Sequence, residues 1–201
     1  MQTPTIFERI SQAVAKDGYC VIDNALPLNI ALALHQHMTL IPSQNFKAMG
    51  VGRGGQLHTD KTYRNDTSLW LNNEHSSEKD YATWMEKLRL AINQQLFLGL
   101  MSYEAHFAHY APQSFYKRHV DAFKGRSNRK LTTVYYLNPD WSDKDGGELL
   151  MYANELSTTP FQKVVPHMNR LVVFLSEDYP HEVSPAQKDR YSIAGWFKLK
   201  G

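Results

Sequence analysis

The chain has 201 residues, a formal net charge of +2 and one cysteine, Cys20. That length can bury a core without cross-links, and a lone cysteine excludes an intrachain disulfide framework and a cysteine-based zinc site. The charge is too mild to argue for nucleic acid, and with 42% hydrophobic and 21% charged residues the composition is that of a globular chain rather than a disordered one.

The N-terminus, MQTPTIFERISQAVAKDGY, carries charges every few residues and no apolar h-region, so no signal peptide is expected. No apolar run approaches the length of a membrane span. A soluble cytoplasmic protein of one domain, residues 1–201, is the expectation, with residues 1–100 as helical support and loop. In PTIFERISQAVAKDG, Ile6, Ile10, Ala13 and Val14 recur at helical spacing and Gly18 offers a stop. LPLNIALALHQHMTLI predicts a second helix with Leu28, Ala31, Leu32 and His35 in register. YATWMEKLRLAINQQLFLGL predicts a third with Trp84, Leu88, Ala91 and Leu98 on one stripe. Between the last two, MGVGRGGQLHTDKTYRNDTS reads as a long loop or loose hairpin, a length often tied to function.

From residue 103 the period changes. YEAHFAHYA, FYKRHVDAF, LTTVYYLN, GGELLMYA, QKVVPH, RLVVFLS, HEVSPA and RYSIAGWFKL are short, rich in β-branched and aromatic residues, and separated by turn signals such as NPDWSDKDGG. Eight strands after a helical prelude predict a β-sandwich or barrel with helices outside one sheet.

Read as a strand, YKRHVDAF places His119 and Asp121 on one face with Lys117 and Phe123, and turns Arg118 and Val120 the other way. A buried Asp is costly unless paired or bound to metal. Alone, this H-x-D fits a salt-bridged surface strand equally well. His181 follows in PHEVSPA and Arg190 opens the last strand. Two histidines and one carboxylate form the facial set used by non-haem Fe(II) oxygenases, which leaves positions open for a bidentate co-substrate and dioxygen. An arginine deep in a barrel suits a carboxylate partner, held in bidentate fashion.

Taken with VYYLNPDWSDKDGGELLMY, NRLVVFLS, PHEVSPA and RYSIAGWF, the segment from about 103 to 198 resembles the catalytic domain of 2-oxoglutarate- and Fe(II)-dependent prolyl 4-hydroxylases, of the type acting on hypoxia-inducible factor and its bacterial relatives. The resemblance implies an α+β chain with a double-stranded β-helix (jelly roll) core and N-terminal helices packed on the major sheet. It implies that His119, Asp121 and His181 bind iron and that Arg190 holds the distal carboxylate of 2-oxoglutarate. Tyr136 matches a tyrosine that helps bind that carboxylate, and Tyr110 one that lies by the co-substrate. Leu149 and Trp196 match apolar pocket residues, although both also suit ordinary barrel core. Arg129 matches a basic residue near the substrate entrance. The Gly-rich segment from Arg53 to Arg64 sits where the family has a loop that closes over substrate. The implied cofactors are Fe(II), 2-oxoglutarate and O2, with ascorbate as reductant. The implied partner is a protein or peptide hydroxylated at C4 of a proline, in bacterial relatives a translation factor such as elongation factor Tu. Lys117, Arg118, Lys124, Arg126, Arg129 and Lys130 predict a basic rim for an acidic target, or a merely solvated basic hairpin.

The chain departs from the pattern at Ala194, where the family carries a threonine, so a pocket hydroxyl is lost. The loop AFKGRSNRK is one residue longer and HYAPQSFY one shorter. Competing readings are a hydroxylase of another residue or of a small molecule, a nucleic-acid demethylase, and a non-catalytic or zinc-binding module. The demethylase is disfavoured because no second arginine follows Arg190 before Lys198, and neither nucleic acid nor membrane is expected as a partner. His58, His106 and His109 lack a matching carboxylate pattern and read as ordinary polar positions.

Overall fold

The structure, a computed structural model, describes residues 3–50, 60–122 and 127–199. Helix α1, Ile6–Asp17, starts at a capping box: Thr5 and Glu8 each satisfy the other's backbone N–H. It stops at Gly18, whose N–H bonds the Val14 carbonyl. Helix α2 is Leu28–Leu40, and the predicted stripe is corrected there. Ala31, Leu34 and Met38 are buried, whereas Leu28 and Leu32 are 63% and 53% exposed. Apolar residues run almost around this helix, so periodicity could not select its face.

Helix α3, Ser76–Leu96, begins five residues before the predicted stretch. The His75 ring caps it by accepting the Ser77 N–H, a role the usual capping residues would have signalled more clearly. Its buried stripe is Tyr81, Trp84, Met85, Leu88 and Ile92, and Leu98 lies beyond its end.

The helical reading of the N-terminal half missed three strands: β1 (Tyr19–Ile22), β2 (Lys47–Ala48) and β3 (Thr67–Trp70). β2 and β3 pair antiparallel at the two ends of the segment expected as a long loop or loose hairpin, of which residues 51–59 lie outside the described residues. All eight segments predicted as strands after residue 103 form strands. They are β4 (Ser102–Tyr110), β5 (Tyr116–His119), β6 (Arg129–Tyr136), β7 (Leu149–Met151), β8 (Gln162–Val164), β9 (Leu171–Leu175), β10 (His181–Val183) and β11 (Arg190–Lys198).

They form two antiparallel sheets. One runs β1-β9-β6-β11-β4-β3-β2 and the other β5-β10-β7-β8. Alternation divides each strand between two environments. Leu131, Tyr135, Ile193, Phe197 and Phe107 join the helices in one core. Val134, Tyr136, Val172 and Phe174 pack with Leu149, Met151, Val164 and Val183 of the smaller sheet in a second core. β11 sits between β4 and β6, with Ala194 opposite His106 on one side and Val134 on the other. Among the described residues, no helix is long and apolar enough to cross a membrane.

Candidate active site

β5 and β10 pair so that His119 lies directly across from His181. Strand β5 ends at His119, which corrects the shared-face reading of H-x-D. Asp121 comes back to the histidines through a bend, fixed where the Ala122 N–H bonds the Ser176 carbonyl. Lys117 is exposed, and Phe123 lies outside the described residues. Asp121 Oδ1 is 3.6 Å from His119 Nε2 and Asp121 Oδ2 is 3.7 Å from His181 Nε2. One ligand atom from each residue falls within 4.8 Å of the others, so the trio could hold a metal ion.

Each candidate ligand is oriented from behind. His119 Nδ1 donates to the Lys117 carbonyl (2.8 Å) and His181 Nδ1 to the Tyr179 carbonyl (3.0 Å). Carbonyls only accept, so Nδ1 is the donor in each ring and Nε2 is the nitrogen turned toward the site. Thr132 Oγ1 donates to Asp121 Oδ2 at 2.7 Å and itself meets Ser176 Oγ at 2.9 Å. Burial works against the Asp121 charge, but His181, His119 and Thr132 outweigh it and hold the carboxyl well below the usual carboxylate range. Burial, then His119, pushes His181 down to about 4 despite the pull of Asp121. Near neutrality Asp121 is therefore a carboxylate and His181 a neutral imidazole, donors in the deprotonated form a divalent metal needs.

Arg190 is 1% exposed. Its Nε donates to the Gly147 carbonyl (2.7 Å) and Nη1 to Ser192 Oγ (3.3 Å), with the Tyr110 and Tyr136 rings 4.8 and 5.1 Å away. Gly147 has φ +69°, and a Cβ there would come within 3.0 Å of Arg190 Cδ. A side chain at 147 would therefore be strained and crowded. Arg190 Nη2 and the Tyr136 hydroxyl are buried with no hydrogen-bond partner among the described residues. Buried unmade donors are expensive, and a carboxylate satisfies both. The residues present thus fit an anionic co-substrate as well as a metal.

The trio and Arg190 open on one cleft of about 1220 Å³, lined also by Tyr110, Leu149 and Trp196. Tyr136 lies in the core beside Arg190. The expected substrate arginines are more heavily engaged than the sequence suggested. Arg129 stacks on Trp196 (3.6 Å) and donates to Glu104 (2.9 and 3.1 Å), which Lys198 also reaches. Arg64, 8% exposed, forms a two-point pair with Asp66 (2.5 and 2.7 Å) and covers Tyr116. Arg53 lies outside the described residues, as do His58, Lys124 and Arg126. The predicted basic rim loses Arg118, which lies over the Tyr152 ring and donates to the Ser157 carbonyl.

Two cleft residues escaped the sequence reading. Thr132, behind Asp121, shares a face of β6 with Tyr136. His106, read as an ordinary polar position, is 2% exposed on the cleft wall and shares a face of β4 with Tyr110. Period-two spacing from the two tyrosines was the available signal. His109 pairs instead with Asp189.

Residues 105–198 match the 2OG-Fe(II) oxygenase superfamily. A hypoxia-inducible factor prolyl hydroxylase of Caenorhabditis elegans is 30% identical over 97% of this chain and 28% of its own length. Human Egl nine homolog 1 is 41% identical over 41% of this chain and 19% of its own. The chain thus spans less than a third of these curated relatives. A crystal structure of a Pseudomonas putida prolyl-4-hydroxylase superposes with a TM-score of 0.83 at 36% identity, covering 97% of this chain and 100% of that one. A Trichoplax adhaerens prolyl hydroxylase, in complex with a hypoxia inducible factor peptide fragment, gives 0.76 at 26% identity, covering 96% and 89%. The chain belongs to the 2OG-Fe(II) oxygenase superfamily, and the relatives it is similar to are prolyl hydroxylases.

Proposed function

We propose that the chain is a 2-oxoglutarate- and Fe(II)-dependent dioxygenase that hydroxylates C4 of a prolyl residue in a polypeptide target. The carrying observation is the convergence of His119, Asp121 and His181 in the cleft that also holds buried Arg190. In this reading the two sheets are a double-stranded β-helix, residues 103–198, and residues 1–100 support it within one domain. His119, Asp121 and His181 hold iron, and Arg190 with Tyr136 holds the distal carboxylate of 2-oxoglutarate. Tyr110, Leu149 and Trp196 wall the co-substrate. Bound there, iron with 2-oxoglutarate and dioxygen supplies oxidation of an unactivated C–H to an alcohol, with succinate and carbon dioxide as co-products.

The chain's own work is placement. The Lys117 and Tyr179 carbonyls fix the two imidazole tautomers, and Thr132 fixes the carboxylate. Arg190 anchors one end of the co-substrate so that its other end faces the trio. Val134, Leu149 and Val183 keep water from the ground between.

The test is 2-oxoglutarate turnover with Fe(II), with and without cell-extract proteins, followed by intact-mass and peptide mapping. Gain of one oxygen on a proline, coupled to succinate, is expected, with translation factors the first proteins to inspect. Modification of a nucleobase or of a different residue would refute the target class while leaving the chemistry standing.

A further inference from the structure

His106 faces the cleft from β4, directly across from Ala194 of β11 and Trp70 of β3. Its Nδ1 lies 3.0 Å from the Phe107 carbonyl oxygen. A carbonyl only accepts, so the proton sits on Nδ1 and Nε2 carries a lone pair. Among the described residues no donor reaches Nε2. Burial holds the ring down to about 4, so it stays a neutral acceptor near neutrality. Trp70 and Trp196 flank it at 5.3 and 5.6 Å, with the two indoles 6.4 Å apart. Trp70 is 49% exposed, which places this aromatic trough toward the open side of the cleft. Ala194 presents only a methyl group beside the imidazole.

An acceptor set between two indoles selects a ligand that brings a donor, and the Trp196 Nε1–H, buried with no partner among the described residues, leaves an acceptor of that ligand a place as well. 2-Oxoglutarate offers only acceptor oxygens near neutrality, so it is not the partner. A polypeptide presenting proline brings both features the trough can use. The pyrrolidine ring supplies apolar surface for the indoles, and a neighbouring residue supplies the N–H that proline itself lacks.

We propose that His106 is a specificity-determining residue for the polypeptide target, accepting a backbone N–H beside the target proline while Trp70 and Trp196 cover the adjoining apolar surface. The proposal rests on the prolyl-hydroxylase reading and adds to it a contact for the target backbone.

The direct test follows the His106 Nε2 resonance in protein loaded with Zn(II) and 2-oxoglutarate and carrying isotope-labelled histidine. Acetyl-Ala-Pro-Ala-amide at millimolar concentration is expected to shift that resonance, and the analogue with N-methylated alanine amides is not. Equal shifts with both peptides, or none with either, overturn the proposal. In turnover, H106L is expected to raise the KM for the hydroxylated target about tenfold, the loss of roughly one hydrogen bond, with kcat and the 2-oxoglutarate KM near wild type. H106Q, which keeps an acceptor, recovers part of the loss. A rise confined to the 2-oxoglutarate KM assigns the ring to the co-substrate and also overturns the proposal. Failure of the wild-type protein to hydroxylate any proline sinks the broader reading instead, and the resonance shift reports on His106 separately from that result.

Discussion

The two faces of the seven-stranded sheet come from the same strands, and β6 buries residues on both, yet they carry different chemistry. On β6, Leu131 and Tyr135 join the helices in a core made mostly of aliphatic and aromatic groups. Their neighbours Thr132 and Tyr136 belong to the side that holds Asp121 and Arg190. One face stabilises by removing apolar surface from water. The other buries charge and hydroxyls, which is unfavourable unless each finds a partner. The helix face therefore answers mainly to stability and the cleft face mainly to ligands, and substitutions one residue apart should separate the two.

The largest effect belongs to the trio. His181→Ala or Asp121→Ala should abolish turnover and weaken metal binding by more than ~100-fold, because losing a mere supporting partner already reaches that range. Calorimetric titration with Fe(II) or Mn(II) measures it, and retained affinity would remove these residues from the metal site. Arg190→Ala deletes one side of a charge-assisted contact, a loss of about 2–5 kcal/mol, so the 2-oxoglutarate KM should rise at least ~30-fold. An unchanged KM would mean the arginine serves the fold alone.

Leu131→Ala and Thr132→Val test the comparison most sharply. Leu131→Ala should cost about 2–5 kcal/mol of stability with metal affinity kept. Thr132→Val should weaken metal binding by ~10- to 100-fold with little change in Tm. A swap of these two outcomes would break the division between faces.

The last effect is one of pH, spread over a window rather than set by one substitution. Burial lowers His106 from an ordinary 6.5 to about 4, so between those values the unfolded chain binds the extra proton and the folded one does not. Stability then rises with pH across that window and falls on acidification, by up to roughly 3 kcal/mol near its lower end. The Tm of H106L should fall less than that of wild type between pH 6.5 and 4. Parallel slopes would show that another group carries the acid sensitivity.

Much of this was legible without coordinates. Turn signals and β-branched runs located every strand after residue 103, because such runs, punctuated by Gly, Pro and Asp, have few other uses. The N-terminal strands were hidden. β1 is four residues long, and β3 earns its place through pairing with β4 rather than through its own composition. The face of α2 was misread because a helix with apolar residues spread around its circumference has no clear preferred side until a neighbour supplies one.

The sequence by itself determined the donor types, their order along the chain and the spacing of His119, Asp121, His181 and Arg190, since these are properties of covalent order. Only the tertiary structure decided that His119 faces His181 across β5 and β10, that Arg64 is tied to Asp66, and that His106 is buried with no donor at Nε2 among the described residues. Those facts depend on strand pairing and burial between residues far apart in the chain. Alternation assigns a residue to a face, but it does not name what the opposite strand brings to that face.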